Sequence, residues 1–89
     1  MLGRVKIVNK LGMHARASAK FVQVAKSFPC SVELGHLEDQ LVNGKSMMQI
    51  MTLAATQGSE LILKTDGEEA TAAYDTIEQL IADRFGEAE

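Results

Sequence analysis

Tryptophan is absent from the 89-residue sequence, and one tyrosine and three phenylalanines are its only aromatics. A core must therefore be built mainly from Val, Leu, Ile, Met and Ala, which suit the close spacing of helices laid on a sheet. The single cysteine, Cys30, excludes an intramolecular disulfide framework and a CxxC redox pair. A reduced thiol in a reducing compartment is the plain expectation. No apolar run approaches the roughly 20 residues that span a bilayer. Met1 to Arg4 leads into a strand pattern rather than a signal peptide, so a cytoplasmic protein with no membrane insertion is expected.

Charge is equally sparing. Nine basic and twelve acidic residues leave a formal net charge of -3, and neither sign forms a block. A nucleic-acid partner needs a concentrated basic footprint, so none is expected. Lys6, Lys10, Arg16, Lys20 and Lys26 do bias the first third positive, which a partner with an acidic face could read. There is no HExxH, no Cys/His cluster and no GxSxG elbow. Neither a metal, nor another cofactor, nor a serine hydrolase site is expected. Ser18 sits within a helical pattern with no visible orienting carboxylate.

What is present reads as one domain spanning residues 1–89. Arg4 to Val8 alternates as a strand, Asn9 to Gly12 is turn-rich, and Arg16 to Ser27 is helical, with Ser18, Phe21, Val22, Ala25 and Phe28 on one face. Pro29 stops that helix. Val32 with Leu34, and Leu41 with Val42, suggest two short strands in a hairpin closed by Asn43-Gly44. Ser46 to Gln49 fits a capping box opening a short helix that exits at Gly58. Leu61 to about Thr65 reads as a last strand, and Asp66 to Glu69 as a second capping box. The final helix carries Ala70, Ala73, Tyr74, Ile77, Leu80 and Ile81 as a stripe, with Gly86 as its stop. The expected fold is α/β in the α+β sense. It is an open-faced βαββαβα sandwich with a mainly antiparallel four-stranded sheet and three helices on one face.

His14 is the first chemical candidate, because it stands at the mouth of the first helix. The first turn of a helix leaves backbone N–H groups unpaired and pointing at any arriving anion. An imidazole with an ordinary pKa of about 6.5 offers a neutral, nucleophilic nitrogen near neutral pH. Arg16 adds a guanidinium fork that matches phosphate oxygens. A phosphoryl group on His14 could thus be held by the amides of Ala15, Arg16 and Ala17 and by Arg16 itself. From the residues alone, His14 could equally be a capping or surface residue, or bind without covalent chemistry.

Ser46 is the second. As a helix cap it needs no regulatory role. A phosphate there would also meet the helix favourably and add about two negative charges beside Met47 and Met48. Those methionines read either as an adaptable partner-docking patch or as ordinary packing, and Met51 reads as core.

Three stretches together resemble the HPr family, the histidine-containing phosphocarriers of the bacterial phosphoenolpyruvate-dependent phosphotransferase system: Asn9 to Val22 (NKLGMHARASAKFV), Val42 to Met51 (VNGKSMMQIM), and Thr65 to Ala70 (TDGEEA). The resemblance covers essentially the whole chain. It implies the same βαββαβα sandwich and a phosphoryl-transfer carrier rather than a stand-alone enzyme. Under it, His14 accepts phosphoryl through Nδ1 from phosphorylated enzyme I and passes it to a histidine of an EIIA-type domain, with Arg16 assisting. Ser46 matches the serine that an HPr kinase/phosphorylase modifies to weaken transfer, and Met47, Met48 and Met51 fall at the docking surface. A monomer is expected.

One position departs from that pattern. Ala17 stands where most members carry proline, which implies a retained site with a less rigid helix mouth. The alternative reading is a regulatory protein-binding module of a nitrogen-related or kinase-controlled branch without sugar transport, since every branch would keep the same acceptor.

Overall fold

The computed structural model describes residues 1–89. Its elements are β1 (Leu2–Lys6), α1 (Ala15–Lys26), β2 (Ser31–Gly35), β3 (Val42–Asn43), α2 (Met47–Met51), β4 (Glu60–Asp66) and α3 (Ala70–Ala82), followed by a 3-10 turn over Arg84–Gly86. The sheet order is β1-β4-β2-β3, with every neighbouring pair antiparallel. This is the expected open-faced sandwich. The last strand in sequence lies in the middle of the sheet, so α1 must cross over β4 to connect β1 to β2.

The core forms between the sheet and the helices. Ile7, Leu34, Leu61, Leu63 and Val32 from the strands and their extensions meet Phe21, Ala25, Ile50, Ile77 and Ile81 from the helices, all almost completely buried. Each of the larger side chains contributes about 1.5–3 kcal/mol by leaving water. Ser18 falls on the apolar face of α1 and is fully buried, and its hydroxyl donates to the Met13 carbonyl at 3.0 Å. That bond explains how a polar residue sits where the periodicity places an apolar one.

Several expectations need correction. β1 starts at Leu2 rather than Arg4, because β4 extends far enough for Leu2 to pair with Lys64. It ends at Lys6, since Ile7 faces the turn at Gly58 and Ser59 instead of a strand. Leu41 lies outside β3, which is only Val42–Asn43. The box at Ser46 closes on one side only: Ser46 Oγ accepts from the Gln49 amide, but the Gln49 side chain turns to the Asn43 amide at 2.9 Å. The box at Asp66 does not form. The chain enters α3 through Glu69 in the left-handed region (φ 64) with no side-chain cap, so the Asp66 carboxylate is not aimed at the helix.

Candidate functional site: the mouth of the first helix

Gly12 makes the approach to α1 possible. Its φ is +67, and a Cβ there would lie 2.5 Å from the Ala55 carbonyl oxygen. Glycine alone tolerates both the conformation and the contact. The turn then seats Met13 in the core, with its amide donating to Ala55 O at 2.9 Å.

His14 follows as the N-cap of α1, in extended conformation (φ -71, ψ 178). Its carbonyl accepts the first helical bond, from Ser18 N at 2.8 Å, but its side chain makes no cap. The amides of Ala15, Arg16 and Ala17 therefore have no acceptor within the chain, and the first turn carries no acidic residue. These are the conditions under which a helix mouth attracts an anion. Arg16 is exposed at the same mouth, while Ala17 is fully buried at the third helical position.

The half-buried imidazole of His14 points Nε2 at Glu87 Oε2, 2.5 Å away. Its Nδ1 has no hydrogen bond within the chain. Glu87 Oε1 in turn accepts from Asn9 Nδ2 at 3.0 Å, and the same nitrogen donates to the Gly12 carbonyl at 2.8 Å. Burial alone would raise the Glu87 carboxyl. Hydrogen bonds from Asn9 and His14, and the positive charges of His14 and Arg16, together outweigh that and hold it below its ordinary value.

Glu87 reaches this place because the segment after α3 turns back. Arg84, Phe85 and Gly86 all have positive φ (56, 55 and 78). For Arg84 and Phe85 that costs roughly 1–3 kcal/mol each, offset by complete burial of the Phe85 ring. Lys20 Nζ donates to the Phe85 carbonyl at 2.6 Å, and Lys10 pairs with Glu89 through its ammonium at 3.3 Å and its amide at 2.5 Å. Between α1 and this segment lies a depression of about 490 Å³. Lys10, Arg16, Lys20, Glu87 and Glu89 help line it, and His14 does not.

The second candidate lies elsewhere in the helical layer. Ser46 is the N-cap of α2, half-buried, with its Oγ accepting from Gln49 N at 3.3 Å. Met47 packs against the core, Met48 is 81% exposed, and Met51 is 40% exposed, so Met51 is not the core residue its periodicity suggests. Sequence reasoning does not single out Asn9 or Glu87 as site residues. Asn9 is fully buried with a polar side chain, but Glu87 lies 73 residues from His14, where no local pattern connects them.

Comparison with known proteins decides what this arrangement belongs to. The family model described as the PTS HPr component phosphorylation site matches residues 3–83. The chain belongs to the HPr family. A Pseudomonas putida phosphocarrier protein HPr is 51% identical over 85 residues, covering 96% of this chain and 94% of that protein. Among solved structures, an HPr from Thermoanaerobacter tengcongensis superposes with a TM-score of 0.93 at 35% identity, covering 100% of this chain and 99% of that one. A phosphocarrier HPr from Bacillus anthracis gives 0.84 at 33% identity over 91% and 95%. HPr membership makes the chain a phosphocarrier of the phosphotransferase system. No helix is long and apolar enough to cross a membrane.

Proposed function

We propose that His14 is the phosphoryl acceptor, taking the group on Nδ1 from phosphorylated enzyme I and passing it to a histidine of an EIIA-type domain. The observation that carries this reading is the uncapped mouth of α1. His14 Nδ1 lacks a partner there, beside the unpaired amides of Ala15, Arg16 and Ala17. Each amide can donate to a phosphoryl oxygen, and Arg16 adds an exposed cation. Such a seat neutralises negative charge without enclosing it, as suits a group that two large partners must reach in turn.

Docking of those partners is assigned to α2. Met48 and Met51 present flexible apolar side chains to solvent, and Met47 anchors them to the core. Ser46 borders the same patch. Its phosphorylation by an HPr kinase/phosphorylase would put about two negative charges against an apolar docking surface and repel a partner while leaving the fold in place.

Incubation with enzyme I and labelled phosphoenolpyruvate tests the acceptor. Wild type is expected to take up acid-labile label and His14→Ala none; label persisting in the variant removes His14 from the mechanism. Acid-stable label from the kinase and ATP, lost in Ser46→Ala, tests the serine.

A further inference from the structure

The one side chain hydrogen-bonded to the acceptor ring comes from the far end of the sequence. An ionised carboxylate has no proton to give, so in a hydrogen bond between Glu87 and a neutral His14 the proton lies on Nε2. We propose that Glu87 is the positioning residue of phosphoryl transfer: its carboxylate holds the His14 proton on Nε2 and so leaves the Nδ1 lone pair as the nucleophile. This rests on the reading in which His14 Nδ1 is the acceptor, and it adds the group that selects that nitrogen over the other.

The geometry behind it is built at three levels. Glu87 Oε2 meets Nε2 while Oε1 is fixed by Asn9. Asn9 Nδ2 also ties the carboxylate to the Gly12 carbonyl, and so to the loop that delivers His14. The segment carrying Glu87 is pinned by the buried Phe85 ring, by Lys20 and by Lys10. Which nitrogen of a histidine reacts is set by the bond the other nitrogen makes, and here that bond is held from both sides.

The chemistry balances without an added base. The Nδ1 lone pair forms a bond to phosphorus as the bond from phosphorus to the donor's histidine nitrogen breaks, and that bond's electron pair leaves with the donor. Nδ1 carries no proton to lose, and the proton on Nε2 stays. The product ring bears phosphorus on Nδ1 and hydrogen on Nε2, so it is cationic, and Glu87 is its counter-ion. Onward transfer breaks the phosphorus–Nδ1 bond and returns its electron pair to the ring. The same carboxylate therefore serves both directions of exchange.

Two substitutions separate positioning from charge. In Glu87→Gln the amide oxygen can still accept from Nε2–H, whereas Glu87→Ala removes the acceptor altogether. Side-chain 15N shifts of His14 in the intact protein are expected to show the Nε2–H tautomer in wild type and Glu87→Gln, and a mixture in Glu87→Ala. Phosphorylation by enzyme I is expected to slow about tenfold in Glu87→Ala, the low end of the effects seen when a group orienting a histidine is removed. Glu87→Gln should recover most of that rate. A wild-type tautomer and rate in Glu87→Ala would overturn the proposal. Label persisting in His14→Ala would instead overturn the acceptor reading, so the two failures are distinct.

Discussion

Two helices of this chain begin in the same way and end up with opposite chemistry. His14 and Ser46 are both N-caps in extended conformation, and neither first turn contains an acidic residue. At α2 the cap spends its oxygen on the Gln49 amide. At α1 the cap side chain looks away, toward Glu87, and the turn's amides stay unspent. A helix mouth is thus partly capped or fully open to an anion according to where one side chain points, and at α1 that direction is imposed by a segment more than seventy residues away.

The largest effect should come from removing what holds that segment. Phe85→Ala deletes a fully buried ring and is expected to cost about 3–5 kcal/mol in urea unfolding, in the range for large-to-small core changes. It should also erase the His14–Glu87 contact, seen as a change in the His14 ring shifts. A cost near zero would mean that Phe85 does not anchor the mouth. α2 has its own anchors in the buried Ile50 and in Met47, so the second mouth should be untouched. The Gln49 amide shift reports this.

Ser46→Ala is the corresponding test at the capped mouth. Losing a serine cap costs about 1 kcal/mol, and Ser46→Asn should restore most of it because Asn is an equally good cap. Labelling at His14 should be unchanged in Ser46→Ala. A fall in labelling would show that the two mouths are coupled and the comparison between them too simple.

Much of this contrast is legible in the residues themselves. Gly12 ahead of His14 and Arg16 marks the turn into a helix, Ser46 three residues before Gln49 marks a cap, and His14 and Ser46 do stand as N-caps, because both signals depend on neighbours. The alternation of Leu61 and Leu63 likewise predicts a strand, and both are buried. What depends on distance does not show. The Asp66 box matches a pattern but fails, because the left-handed backbone at Glu69 reorients the turn. Glu87 reads as one of several acids biasing the chain's end negative. Only the run of positive φ from Arg84 to Gly86 brings it to His14, and Arg84 and Phe85 give no sequence hint of adopting it.

Ala17 sharpens the comparison further. The HPr resemblance puts proline here, which would lack an N–H, whereas alanine adds a donor to the open mouth. The helix is regular from Ala15 with Ala17 fully buried. On phosphorylation of wild type, the Ala15, Arg16 and Ala17 amide protons are expected to move downfield together. Ala17→Pro should keep the label on His14, with a change in rate of only about threefold, because water can replace one donor at an open site. An Ala17 amide that does not respond to phosphorylation would show that the substitution adds no donor.

The smallest effect is a titration, and it belongs to the open mouth alone. Burial raises the Glu87 carboxyl, but Asn9, His14 and Arg16 together bring it below its ordinary 4.5. A carboxyl whose native value is lower than its unfolded one adds stability that is fully present above the unfolded value. That stability is lost as pH falls through the native value. The clasp on His14 should therefore be intact at neutral pH and loosen only as acid is added below 4.5. A 13C titration of the Glu87 carboxyl is expected to give a midpoint under that figure. Asn9→Ala should raise it more than Arg16→Ala, since the Asn9 hydrogen bond outranks the Arg16 charge among the lowering influences. A wild-type midpoint at or above 4.5 would mean that these groups do not overcome burial, and the carboxylate would then be a weaker guide for the ring than its geometry implies.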